Sequence, residues 1–152
     1  MSRFRISIPW LILAILLVVF IWGNSLTPGV SSNGLSLSVL QDLRDLLDSL
    51  GLASGWLSNF VIRKAAHFTE YAVLGGVVAK AIDPQRTLDR PRLFAICVTL
   101  VLVPSIDETI QLFVPGRSGM VTDVILDCCG AAAGVTLSCW IARLLRRRHA
   151  ES

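Results

Sequence analysis

The sequence predicts an all-α membrane protein with four transmembrane helices and an extracytoplasmic amphipathic interfacial helix between the first and second. Three observations carry this. Hydrophobic residues make up 53% of the 152 residues and charged residues only 16%, against about 25% charged in soluble domains. The apolar residues gather into blocks long enough to cross a hydrocarbon core of ~30 Å. The basic residues flank those blocks and do not run through them. The chain, 1–152, reads as one membrane domain.

The N-terminal residues include Arg3 and Arg5, and an apolar run follows from Ile8 to Trp22. A basic start before an apolar run also describes a secretory signal. However, Gly23-Asn24-Ser25-Leu26 lacks a small-residue cleavage pattern, and Trp10 and Trp22 bracket the run as interface anchors. A retained first span over about 6–26 follows, stopped by Asn24, Ser25 and Pro28.

Residues 27–62 are the longest non-spanning stretch. Leu37, Leu40, Leu43, Leu46, Leu47 and Leu50 recur at helical spacing, with Asp42, Arg44, Asp45 and Asp48 between them. This is an amphipathic helix entered through Ser36 or Ser38 and ended by Gly51. Flanked by spans, it lies in the interface plane as a spacer, with a lid over a site as the sharper alternative. Trp56 and Phe60 belong to the aromatic belt before the next span.

The second span, about 61–82, has a small-residue face of Ala72, Gly75, Gly76 and Ala79 that permits close helix approach. Lys80, Asp83, Pro84, Arg86, Arg90 and Arg92 form a short basic loop. The third span, about 92–114, contains Pro104, which removes one backbone hydrogen bond and kinks the helix. Val114 to Gly119 reads as a tight turn. The fourth span, about 120–145, carries a second close-packing face from Gly130 to Gly134. Cys97, Cys128, Cys129 and Cys139 fall inside apolar blocks without a CxxC, so they read as packing residues.

Charge sets the orientation. The net charge of +3 is concentrated at the N-terminus, the 83–92 loop and the run Arg143, Arg146, Arg147, Arg148 and His149. A basic run directly after an apolar helix faces anionic lipid, so the partner expected is the bilayer and not nucleic acid. Both termini are then cytoplasmic, and the 27–62 stretch and the 115–119 turn face out. Arg63, Lys64 and Arg117 lie on the outer side against that rule, which makes them functional candidates.

Three polar runs then meet. At ~1.5 Å rise per residue, His67, Glu70 and Tyr71 lie roughly 5–10 Å below the outer surface. Asp107, Glu108 and Gln111 lie at about the same depth from the third span, and Asp123 and Asp127 from the fourth. Within each set the spacing is three or four residues, so each shares one helix face. Ionisable faces turn away from lipid. The expected result is an outward-facing polar pocket, with Asp107 the partner of Arg117, Lys64 snorkelling at the interface, and Tyr71 either a pocket wall or an interface aromatic.

Five carboxylates, one imidazole and two cations suit acid–base work at the membrane surface. The expected catalytic groups are His67, Glu70, Asp107 and Glu108, with Glu70 or His67 as base. The expected substrate-binding groups are Lys64, Tyr71, Gln111, Arg117, Asp123 and Asp127, with Arg117 as anion clamp. A divalent cation is a candidate cofactor, held by some of His67, Glu70, Glu108 and Asp123. Recognition of a head group or peptide, a small transporter, and residues that merely pair to pin the bundle are the alternatives. With no GxSxG, no P-loop and no Cys–His pair at helical spacing, a covalent hydrolase is disfavoured.

Three motifs, taken in order, resemble one family: Lys64-x-x-His67-Phe68-x-Glu70-Tyr71-x-x-Leu74-Gly75; Asp107-Glu108-x-x-Gln111-x-Phe113-x-Pro115-Gly116-Arg117; and Asp123-Val124-x-x-Asp127-x-x-Gly130-x-x-x-Gly134. They resemble the VanZ-like family over about 10–145, as does the Asn24, Ser25 and Pro28 patch. Asp127 departs from the asparagine expected in many members and adds a charge. The resemblance implies a small bacterial inner-membrane protein. Its name-giving member is linked to low-level resistance to teicoplanin, a lipid-tailed glycopeptide. The function expected is handling of a lipid-linked or lipoglycopeptide-type envelope molecule at the outer leaflet.

Overall fold

The computed structural model describes residues 6–84 and 89–151; Arg3, Arg5, Arg86 and the side chain of His149, all invoked above for orientation, lie outside the described residues. Five helices follow one another: α1 (Ile8–Ser25), α2 (Gly29–Ser49), α3 (Asn59–Ile82), α4 (Arg90–Leu112) and α5 (Val121–Glu151). No strand occurs among the described residues. By length and composition, α1, α4 and α5 can cross a membrane. With 24 residues, or about 36 Å at ~1.5 Å each, α3 has the length. It is not among the helices whose composition is apolar enough to cross.

The helix ends follow the local chemistry. Pro9 and Pro91 occupy first-turn positions, where a missing N–H costs nothing. The Ser58 hydroxyl accepts from the Val61 amide, and the Asp89 carboxylate from the Arg92 amide. Gly51, at φ 70°, ends α2 as expected.

The start of α2 differs from the expectation at 36–38. It begins at Gly29, because its position is set by the distant 115–119 turn. The Gly29 amide donates to the Pro115 carbonyl at 3.0 Å, and a Cβ at Gly29 would lie 2.0 Å from the Gly116 carbonyl oxygen. The first turns are small and polar, so the leucine period does not report them. Only Gly29 and Leu40 of α2 are buried, and its leucine face stays largely open.

Hydrogen bonds fix the helix directions. The Ser7 amide donates to the Ala81 carbonyl at 2.9 Å, and the Lys80 ammonium sits 4.3 Å from the Trp10 ring centroid. At the opposite end Gln111 bonds Ser25, and Lys64 pairs with Asp123. Thus α1 and α4 run one way, and α3 and α5 the other.

The two small-residue faces do meet. A Cβ at Gly134 would lie 1.7 Å from the Ala72 oxygen, at Gly130 2.4 Å from the Phe68 oxygen, and at Gly75 2.1 Å from the Ala131 oxygen. Against this seam pack Tyr71, Leu74, Val78, Ile96, Leu100 and Val103, with Ile21 of α1. The outer faces of α1, α4 and α5 leave large apolar side chains such as Leu16, Phe20, Phe94, Leu102 and Leu137 exposed, a pattern suited to lipid contact.

Two assignments change. Arg92 is not an exposed flank. It is buried, with Asp83 at 3.4 Å and Asp89 at 3.2 Å, and it ties the start of α4 to the end of α3. Nor are all cysteines interior, because Cys97 and Cys129 lie on the outer surface. Cys128 does more than fill space. Pro104 has no N–H to give the Leu100 carbonyl, and the Cys128 thiol donates to that oxygen at 3.5 Å.

Candidate functional site

The three polar runs meet at one end of the bundle. His67 comes from α3, Asp107 and Glu108 from α4, and Asp127 from α5. One ligand atom of each lies within 4.8 Å of the others. The i, i+3 and i, i+4 spacings on each helix, with α3 and α5 held close by their glycines, bring this about. Asp107 and Asp127 are fully buried, and Glu108 and Gln111 nearly so.

Around this cluster the polar partners are uneven. The Gln111 amide nitrogen donates to Asp107 Oδ2 at 3.4 Å, Glu108 Oε1 at 3.3 Å and Ser25 Oγ at 3.3 Å. The Met120 amide donates to Glu108 Oε2 at 2.8 Å. By contrast Asp127 Oδ1 and Oδ2, Asp107 Oδ1, His67 Nδ1 and the Tyr71 hydroxyl are buried without a hydrogen-bond partner. His67 Nδ1 and Asp127 Oδ1 are 3.9 Å apart, beyond hydrogen-bond reach. Such orphaned groups are rare in folded proteins and call for an explanation.

Several expected roles are revised by position. Arg117 does not pair with Asp107. Its Nε donates to the Thr27 carbonyl and its Nη2 to the Asn24 carbonyl, both at 2.8 Å, closing the exposed end of α1. Burial pulls its pKa below the ordinary guanidinium value, and neighbouring Arg63 adds to this. Lys64 is not simply snorkelling, since it is ion-paired to Asp123 while lying over the Phe60 ring. Tyr71 is no interface aromatic; it is wholly buried, with its hydroxyl beside Asp107. Of the cation candidates, His67 and Glu108 are in the cluster. Glu70 instead faces Asn24, whose amide donates to it at 3.5 Å, and Asp123 is taken by Lys64. Asp107 and Asp127 stand in their places.

Beside the cluster opens a cavity of about 290 Å³, with Asn24, Arg63, His67, Glu70 and Arg117 among its polar walls. It shares the walls Val39, Ile62, Ala66 and Glu70 with an adjoining apolar groove of about 530 Å³ between α1, α2 and α3, where Leu17, Phe20, Leu43 and Val73 add walls. A third cavity of about 260 Å³ lies on the other side of His67, toward Lys64, Met120 and Asp123. Arg63 lines both polar cavities and has no hydrogen-bond or ion-pair partner among the described residues. It was missing from the expected pocket, although its charge on the outer side was the available clue. Asn24 and Ser25 were also missed; their polarity just past an apolar span was the clue there.

Chemically, the arrangement offers a buried anionic cluster, an imidazole at its edge, and an amphipathic cleft with two guanidiniums. Comparison with known proteins adds one finding. A family model described as VanZ/LLP1 matches residues 10–144. No curated protein and no solved structure matches the chain.

Proposed function

The chain belongs to the VanZ/LLP1 family, and from that premise we propose that it binds a lipid-linked envelope molecule by an anionic, phosphate-class head at the outer face of a bacterial inner membrane. In this reading α1, α3, α4 and α5 all span, α2 lies in the interface, and both termini are cytoplasmic. The observation that carries it is that the Arg63–Arg117 cavity adjoins the apolar groove along α1, α2 and α3, the two sharing Val39, Ile62, Ala66 and Glu70 as walls. An amphiphile has the same two parts in the same order. Its head meets two guanidiniums, which suit planar oxyanions. Its chain lies against Leu17, Phe20, Leu43 and Val73, a wall that a free polar solute would not use. A lipid-tailed glycopeptide of the teicoplanin type has an apolar chain for the same groove, and a resistance role would arise from that shared shape.

A second reading is catalytic. His67 stands between the head-group cavity and the buried carboxylates, and Glu70 lines the same cavity. They would act there as base and proton carrier on a group at the head. Native mass spectrometry of protein extracted from membranes in mild detergent tests the binding claim. A retained phosphate-headed lipid is expected, with retention weakened about tenfold or more by Arg63→Gln, since hydrogen bonds to a charged group contribute about 1.5–3 kcal/mol. Equal retention by wild type and Arg63→Gln would refute it.

A further inference from the structure

We propose that His67, Asp107, Glu108 and Asp127 together bind one divalent cation of the first transition row. The inference stands apart from the amphiphile reading, because every observation behind it lies inside the buried cluster.

Charge comes first. Three carboxylates converge in a volume whose nearest ligand atoms span no more than 4.8 Å. The two cations nearest to them are engaged elsewhere: Lys64 with Asp123, and Arg117 with the carbonyls of Asn24 and Thr27. Buried charges are paired or bound to metal, and among the described residues no basic side chain comes within hydrogen-bond reach of Asp127, His67 stopping at 3.9 Å.

Hydrogen bonding is the second and independent observation. Asp127 is wholly buried and neither of its oxygens has a partner. Asp107 Oδ1 and His67 Nδ1 are likewise buried and unpartnered. The remaining oxygens are held in place, Asp107 Oδ2 and Glu108 Oε1 by Gln111 and Glu108 Oε2 by the Met120 amide. Outer contacts that fix carboxylates while leaving other donor atoms vacant are what a metal site needs.

Geometry agrees. Two ligands at about 2.1 Å from one ion lie at most about 4.2 Å apart. The observed upper limit of 4.8 Å needs a contraction of a few tenths of an ångström at each ligand. The donor set selects the ion. One imidazole with three carboxylates suits Mn²⁺, Fe²⁺ or Zn²⁺ better than Ca²⁺ or Mg²⁺, which favour all-oxygen shells. Tyr71, beside Asp107, stands next to the ion, and the head-group cavity reaches it past His67.

The test uses the whole protein in detergent, stripped with chelator and shown by native mass spectrometry to carry no lipid, so that its failure and that of the amphiphile reading are told apart. The protein is loaded with MnCl₂ or ZnCl₂ and desalted, and the metal is measured by mass spectrometry. About one equivalent per chain is expected, with a higher melting temperature. The Mn²⁺ paramagnetic resonance spectrum should show coupling to an imidazole nitrogen that His67→Gln abolishes. Asp127→Asn should weaken the affinity tenfold or more. Stripped Asp127→Asn should melt no lower than stripped wild type, since it removes an uncompensated buried charge, and this keeps loss of metal distinct from loss of fold. No retained Mn²⁺ or Zn²⁺ would overturn the proposal, as would equal retention by both variants, or a metal-free Asp127→Asn that melts well below wild type.

Discussion

Replacing Gly134 by alanine is the sharpest test of how the site is assembled. The added Cβ would stand 1.7 Å from the Ala72 carbonyl oxygen, about 1.3 Å short of the 3.0 Å that real Cβ contacts respect. That oxygen belongs to the α3 backbone and has no free rotamer to give. The helices must part at the seam that buries Tyr71, Leu74 and Ala131. Overpacking costs about 1–3 kcal/mol, and more where backbone must move. Alanine recovers up to about 1 kcal/mol of helix propensity. A net loss of about 2 kcal/mol or more follows. Two controls calibrate it. Gly76→Ala meets nothing closer than 3.4 Å, and Gly23→Ala meets nothing within 4 Å. The first should be near neutral and the second should stabilise by up to about 1 kcal/mol. Reversible unfolding in mixed micelles, titrated with a denaturing detergent, reads all three. If Gly134→Ala is as stable as Gly76→Ala, the close α3–α5 contact is refuted. The register that brings His67 to Asp127 would then fall with it.

Further predictions follow from other contacts. Arg92→Ala should cost about 3–5 kcal/mol in the same unfolding assay, because Asp83 stays buried after its guanidinium is removed; a loss under 1 kcal/mol would contradict the buried pair. Arg117→Lys cannot reach both the Asn24 and Thr27 carbonyls and should lose about 1–2 kcal/mol, with lipid retention falling as well. Lys64→Gln should cost only about 1 kcal/mol or less, since the pair with Asp123 is partly exposed. Reporter fusions at Gly119 and at the C-terminus should lie on opposite sides of the membrane, and finding both on the same side would overturn the outward-facing site.

Periodicity and depth were enough to bring the three walls together. Identical spacing on His67/Tyr71, Asp107/Gln111 and Asp123/Asp127 chooses one face per helix, and bilayer thickness limits where those faces can meet. Partner choice within the site was not legible. Charge alone pairs Arg117 with Asp107, but Arg117 sits just past the end of α1, and the Asn24 and Thr27 carbonyl oxygens hold it. Similarly, the early start of α2 depends on Gly29 lying against Gly116, a contact between residues 87 positions apart that no local pattern reports. Cys128 looked like a small hydrophobe because its acceptor exists only through Pro104 on another helix. Arg63 stood out as a charge against the expected orientation, yet only the fold shows that it lines the cavity beside His67 and Arg117.

On the proposed reading this end of the bundle receives an amphiphile. An experimental structure in phospholipid nanodiscs containing added anionic lipid tests it most directly. Head-group density is expected within hydrogen-bond distance of Arg63 and Arg117, continuous with chain density along Leu17, Phe20, Leu43 and Val73. A well-ordered structure with those side chains clear, a water-filled cavity and no density in the groove would contradict it.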